Sequence, residues 1–432
     1  MYAVKTYRFV HAADLHLDSP FRGMLQDAPD AAHVLREGTF QTYEAIIDLC
    51  LEERVDALLV AGDIYDGADR SLRAQLRFIE GLRRLDEVGI RAFVCHGNHD
   101  PLDGWEARVA FPPNTVRFGP DVEAHPADPN DPQSPMVYGI SYSTREVREN
   151  LVPRFPPPKT GRRAIGLLHA NVGTDTGHDP YAPCTLEDLE RTRYDYWALG
   201  HVHTRQVLRS HDPAVVYPGN PQGRHANEPG ARGVYLVEIA EGGGVTLDFR
   251  PLDTVRWARV EVEIGTINES ETALLDDALL DALTSAVESA RDDAEGRPLV
   301  YRLQVTGRGP AHASLARPEF VPDIRQTLNE RFSAGATFAF CERIEVETAA
   351  AVDRDALAQT PDLLGDLLRL IDELAADPAA MEELRRELTP LYAHTRARRY
   401  LGNGALEAVD IAALLTDAER ILLDEFLDAG AR

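Results

Sequence analysis

The chain has 432 residues, 44% hydrophobic and 27% charged, which is the profile of a folded globular protein too long for one core, so two or three domains are expected. A formal charge of -26 argues against nonspecific adhesion to nucleic acid or anionic lipid, although a local site carrying divalent cations escapes that repulsion. No apolar run approaches the ~20 residues that cross a membrane, and MYAVKTYRFV lacks the parts of a signal peptide, so a cytoplasmic protein is expected.

YRFVH, residues 7–11, reads as a buried strand, and HAADLHLDSP, residues 11–20, leaves it carrying Asp14 and His16. Positions i and i+2 of a strand share a face, so these two side chains should converge. A carboxylate beside an imidazole suits a divalent cation, and it equally suits an ordinary loop hydrogen bond. VDALLVAGDIYDG, residues 55–67, is a second apolar strand, ending at Gly62 and Asp63. SLRAQLRFIEGLRRLDEVG then predicts a helix with Leu72, Leu76, Ile79 and Leu82 or Arg83 at helical spacing and a stop at Gly89. IRAFVCHGNHD, residues 90–100, is the next strand, and Asp100 before Pro101 reads as a helix cap. Strand, helix, strand, each strand ending in polar residues, is how an α/β layered domain builds a site at its carboxyl edge.

AIGLLHANVG, residues 164–173, and YDYWALGHVHTRQV, residues 194–207, are strands ending in His169 and in the pair His201 and His203, again at i and i+2. VVYPGNPQGRH, residues 215–225, is a turn by composition, from which Arg224 or His225 could lean over a phosphate, though a structural role is the simpler reading of each. Arg145 to Arg163 carries five arginines and Lys159 among prolines; it is the best basic strip for DNA, while a solvated loop explains it more simply. Cys50, Cys95, Cys184 and Cys341 lie far apart without a CxxC, which excludes a disulfide framework and a Cys-rich zinc site and leaves buried apolar roles. One strand-end histidine is weak evidence; the ordered set DxH, GDxxD, GNHD, H and GHxH is strong, because independent accidents would have to coincide at every strand.

HAADLHLDSPFRG, GDIYDG, HGNHD, LLHANVG, GHVH and YPGNPQGRH together resemble the calcineurin-like metallophosphoesterases, over roughly the first 250 residues. Within them the chain is most similar to the Mre11/SbcD family of DNA repair exonucleases, in its YhaO-like bacterial branch. That resemblance implies an α/β fold, a four-layer αββα sandwich, that hydrolyses DNA phosphodiesters as an exonuclease, with endonuclease activity also open. It implies two divalent ions, for which mixed carboxylate, amide and imidazole ligands without thiolate favour manganese or iron, manganese being the expectation. By motif match Asp63 bridges the ions, Asp14, His16 and His203 complete the first site, and Asn98, His169 and His201 complete the second. His99 is implied as general acid to the leaving oxygen and Asp66 as the acceptor that orients it, although Asp66 beside Gly67 also reads as a turn residue.

Beyond residue 252 the pattern changes. VRWARVEVEIG, RPLVYRLQVTG and TFAFCERIEVE alternate like strands, with helices SETALLDDALLDALTSAVESARDD and RPEFVPDIRQTLNERFS between them. From about residue 350 helices dominate, with one apolar stripe of Leu364, Leu367, Leu368, Ile371 and Leu374 and another of Leu414, Ala418, Ile421, Leu422 and Phe426, interrupted by DP at 377 and LGNG at 401–404. The expected domains are therefore a phosphoesterase at 1–252, an α+β cap at 253–349 and a helical region at 350–432. The resemblance gives the cap a role in positioning DNA and the helical region a role in docking on an SMC-like (Rad50/SbcC-type) ATPase, with a homodimer open; an accessory stability role also suits the acidic cap. Two other readings stand beside the nuclease: a phosphatase or cyclic-nucleotide phosphodiesterase, and a noncatalytic scaffold that recruits an ATPase.

Overall fold

A computed structural model describes residues 6–19, 29–66, 71–105, 107, 109–173, 179–267, 274–335, 337–390 and 410–429. Gly67 and the LGNG break at 401–404 lie outside the described residues. The first strands and helices are β1 (Thr6–Ala12), α1 (Pro29–Glu52), β2 (Ala57–Ala61), α2 (Leu72–Glu87), β3 (Arg91–Cys95) and β4 (Thr115–Arg117). Next come β5 (Glu123–Pro126), β6 (Met136–Gly139), β7 (Ala164–His169), α3 (Leu186–Arg191), β8 (Tyr196–Gly200), β9 (Gln206–Ser210) and β10 (Ala214–Tyr217). Strands β11 (Gly233–Ala240) and β12 (Val245–Pro251) complete two six-stranded sheets, ordered β12-β11-β1-β2-β3-β4 and β5-β6-β7-β8-β10-β9.

Alternation along these strands sorts the side chains into layers. Val10, Leu58, Val60, Ala92 and Val94 point to Phe40, Tyr43 and Ile47 of α1 and to Phe78, Leu82 and Leu85 of α2. Their neighbours Phe9, Leu59 and Phe93 turn the other way and meet Ile165, Leu167, Tyr196 and Val216 of the second sheet. That sheet's outer face, with Leu168, Trp197 and Val215, is covered by Leu189 of α3 and by Leu151, Val152 and Phe155. The order helices, sheet, sheet, helix is the expected αββα sandwich with a thin fourth layer. Burying each large apolar side chain stabilises it by roughly 1.5–3 kcal/mol. All four cysteines are free and buried, as expected.

Parallel pairing of β1 with β2, β2 with β3, and β7 with β8 brings the carboxyl ends of these strands to one edge. Helix α2 begins where expected, with Ser71 Oγ accepting from Ala74 N at 3.0 Å, and it stops at Gly89, whose φ of +80° suits glycine. Its buried face differs from the expected one: Leu72 and Leu76 are exposed, and Ala74, Phe78, Ile79, Leu82 and Leu85 are buried. Asp100 caps no helix. It is fully buried and accepts from Gly97 N at 2.7 Å and Ile64 N at 3.0 Å, tying the loop after β3 to the loop after β2.

Beyond the sandwich, β13 (Arg256–Glu263), α4 (Leu275–Asp293), β14 (Leu299–Gly309), α5 (His312–Leu315), α6 (Phe320–Phe332) and β15 (Ala339–Ala350) form a sheet ordered β13-β14-β15. Helices α7 (Arg354–Ala358), α8 (Leu363–Ala376), α9 (Pro378–Glu387) and α10 (Ile411–Ala429) follow. The chain divides into two compact units, one of Met1–Val262, Asp281–Gln304 and Val321–Glu345, the other of Glu263–Leu280, Val305–Phe320 and Val346–Arg432. In the second unit Leu364 and Leu368 of α8 pack with Leu423 and Leu427 of α10. The expected stripe of α10 faces outward instead: Leu414, Ile421 and Phe426 are exposed, while Ile411 and Leu423 are buried. Among the described residues, no helix is long and apolar enough to cross a membrane.

Candidate metal centre

Asp14 and His16 do converge, by a route that strand alternation does not supply. Strand β1 ends at Ala12, and Asp14 and His16 both take positive φ, 53° and 42°. Asp63 and His201 do the same at 50° and 99°, just past β2 and β8. Each such backbone costs on the order of 1–3 kcal/mol and persists because its surroundings fix it. Here the fixing is explicit: Asp14 N donates to Gly62 O at 3.0 Å, His16 N to Asp63 O at 3.1 Å and Leu17 N to Ile64 O at 2.9 Å, zipping the first two loops together. His201 N donates to the Asp14 carboxylate at 3.0 Å, and His99 N to Asp63 Oδ1 at 2.9 Å, adding the loops after β8 and β3. A Cβ on Gly97 would strike both Asp63 and His169, so only glycine lets the GNH turn lie this close.

Three groups of donor atoms result among the described residues, Asp14 with His16 and His203, Asp14 with Asp63 and His169, and His16 with Asp66 and His99, each within 4.8 Å of one another. His169 Nδ1 faces Ala61 O at 2.9 Å; a carbonyl only accepts, so Nδ1 carries the proton and Nε2 keeps its lone pair. That lone pair meets Asn98 Oδ1 at 3.0 Å and Asp63 Oδ2 at 3.5 Å. His16 Nε2 and His203 Nε2 face one another at 3.2 Å. Burial, with Asp63 nearby, pushes the Asp14 carboxyl well above its usual range, and burial raises Asp63 as well. Burial also pushes His16 well below the ordinary histidine value. Acceptor atoms thus converge in a desolvated space that disfavours their charged forms, and divalent cations satisfy such a donor set. The expected ligands are together, except that His201 turns Nε2 to Asp179 O at 2.8 Å and packs its ring against His169 at 5.2 Å.

His99 Nδ1 lies 3.0 Å from Asp66 Oδ1, and Asp66 Oδ2 accepts from Ser19 Oγ at 2.7 Å. Burial lowers the His99 pKa, but the hydrogen bond to Asp66 and the charges of Asp63 and Asp66 outweigh it and leave the imidazole above its ordinary value. Burial would raise Asp66; contacts with His16, His99 and Ser19 hold it well below the usual range instead. Arg224 reaches this group, its guanidinium 3.7 Å from Asp66 and 3.2 Å from His203 Nδ1. His225 is more than half exposed and accepts from Asn227 N at 3.2 Å. In the basic strip three of the six basic residues, Arg148, Arg154 and Arg163, pair with Glu146, Glu149 and Asp195, which offsets half of its charge.

Glu228 gave no signal in the sequence, yet it organises one side of the site. Its buried carboxylate sits 2.7 Å from His203 Nδ1 and accepts from Asn220 Nδ2 at 2.8 Å and Arg224 N at 2.7 Å. Burial would raise its pKa; His203 and Arg224 hold it well below the usual carboxylate range. An ionised carboxylate only accepts, so His203 Nδ1 carries the proton and Nε2 is left as a ligand atom. Glu228→Gln keeps one acceptor for three donors and should weaken divalent metal affinity by about 10- to 100-fold. Calorimetric titration with manganese reads this directly, and unchanged affinity would deny Glu228 that role.

Comparison with known proteins agrees with this geometry. A family model described as calcineurin-like phosphoesterase matches residues 7–205, and one for the middle domain of metallophosphoesterase YhaO matches residues 257–349. The uncharacterized metallophosphoesterase YhaO of Bacillus subtilis is 36% identical over 341 residues, 79% of this chain and 81% of its own length. The chain belongs to the calcineurin-like metallophosphoesterases. Its middle region is YhaO-like. More distantly, it is similar to the DNA double-strand break repair proteins Mre11 of Aeropyrum pernix, 31% identical over 60% of this chain and 64% of that one, and of Methanocaldococcus jannaschii, 25% identical over 59% and 69%.

Proposed function

We propose that this metallophosphoesterase hydrolyses DNA phosphodiesters as an exonuclease with two divalent ions, manganese first among them. The observation that carries the reading is the pair of acceptor groups sharing Asp14, set beside a histidine held by its own carboxylate. Similarity to Mre11 proteins supports DNA as the substrate. Asp14, His16 and His203 would hold one ion, Asn98, His169 and His201 the other, and Asp63 both. Bound there, the ions would supply a Lewis acid and an activated water for in-line displacement. The protein's own groups do the rest. Asp66 accepts from His99 Nδ1 and favours the imidazolium, whose Nε2 proton would pass to the departing 3′ or 5′ oxygen, and Arg224 offers a charge to the phosphate. Purified protein with manganese, offered duplex DNA, single-stranded DNA, cAMP and an aryl phosphodiester, tests this. DNA turnover well above cAMP turnover is expected, and cAMP or the aryl ester alone being cleaved would move the chain to the small-substrate reading.

The helical region is proposed to dock on an SMC-like ATPase through α10. The exposed Leu414 and Ile421 support this, because a helix-in-groove contact uses such a stripe. Replacing both with Asp should abolish co-purification with the ATPase and leave the melting temperature within a few degrees, as expected for exposed positions. A fall in melting temperature with binding retained would make the stripe a packing surface.

A further inference from the structure

We propose that Trp105 is a stacking platform for an unpaired DNA base beside the metal centre, an assignment that rests on the DNA phosphodiesterase reading. Trp105 lies on the segment leaving the GNHD turn, whose His99 and Asp100 belong to the site. That segment is held in place: Leu102 N donates to Tyr142 O at 2.9 Å and Asp103 N to Ser143 O at 3.2 Å. The Tyr142 ring in turn meets the His169 imidazole edge-on at 5.6 Å. The anchored segment therefore leaves the centre next to its second acceptor group and presents an indole that is 61% exposed.

The charge distribution gives this indole its function. A protein of formal charge -26 repels a phosphate backbone at long range, and three of the five arginines of 145–163 are paired with carboxylates. Affinity for DNA then draws on the bound ions, on a few local arginines and on contacts that ignore charge. Stacking on an aromatic face is such a contact; it tolerates any sequence because every base has a π-face. A base offers that face only when unpaired, so the surface fits a single strand or a frayed end and leaves the interior of a duplex alone. Arg145, exposed on the segment that follows Ser143, can meet the adjoining phosphate.

The other two tryptophans, Trp197 at 0% and Trp257 at 3% exposure, are buried, so solvent-accessible indole emission reports Trp105. The test titrates the manganese-loaded protein with a phosphorothioate oligothymidine, an abasic strand of the same length and thymidine monophosphate. Quenching by the oligothymidine and none by the abasic strand is expected, with a shallow dependence on salt. Trp105→Ala should remove the quenching and raise the KM for single-stranded DNA by about 5- to 100-fold, lowering the ratio of DNA to aryl phosphodiester turnover, while Trp105→Phe should restore most of it. Equal KM for wild type and Trp105→Ala, or quenching by the mononucleotide and not by the strand, would overturn the stacking role while leaving the nuclease reading intact. A wild-type protein that cleaves no DNA would overturn both.

Discussion

Asp63→Ala is expected to abolish hydrolysis of every phosphodiester offered and to strip divalent metal from both donor groups. Asp63 Oδ2 lies 3.5 Å from His169 Nε2 and 4.0 Å from His16 Nε2, between the two sets, so one carboxylate would serve both ions. The substitution also removes the acceptor for His99 N, so part of any loss could come from a loosened turn. Asp63→Asn separates the two effects: it preserves size and an oxygen for His99 N and removes the charge. Both variants should lose metal by elemental analysis after gel filtration. Two ions still tightly held in either variant would contradict a bridging role.

His99→Leu is the second large effect, with the opposite signature. Turnover on DNA should fall by roughly 10²-fold or more, as expected when a general acid is removed, while metal content stays at the wild-type level. The loss should be smaller on an aryl phosphodiester, whose phenolate departs without needing a proton. His99 makes this separable because its ring nitrogen bonds Asp66, while the neighbouring Asn98 turns its Oδ1 to His169 and would supply the ligand oxygen. Metal loss on removing His99 would mean the two neighbours exchange roles.

The catalytic half of the fold was legible because short apolar runs ending in Gly-Asp, Gly-Asn-His and Gly-His-x-His encode both a buried strand and its carboxyl-end loop. The convergence of Asp14 with His16 was legible only in outcome. Period-two alternation stops at Ala12, and the positive φ values that actually aim these side chains leave no compositional mark on Asp or His. Asp100 followed by proline has the local grammar of a cap, but its contacts to Gly97 N and Ile64 N cross between loops. Glu228 was invisible for the same reason: its partners His203, Asn220 and Arg224 meet it through tertiary packing, and no spacing announces that. In α10, apolar residues occupy more than one face, and periodicity alone could not say that Ile411 and Leu423 turn inward while Leu414 and Ile421 remain outside. Helix α2 shows the same ambiguity at Leu72 and Leu76, which share the helical spacing but lie at the margin of the buried face.

The proposed hydrolysis, the bridging role of Asp63 and the metal-affinity effect of Glu228 all depend on two cations occupying the space around Asp63. Anomalous diffraction from crystals of the full chain grown with manganese measures that occupancy. Two peaks about 3.5–4 Å apart are expected, both within bonding distance of Asp63, one also contacting Asp14, His16 and His203 and the other Asn98, His169 and His201. A single peak, or two that do not share Asp63, would contradict the binuclear centre.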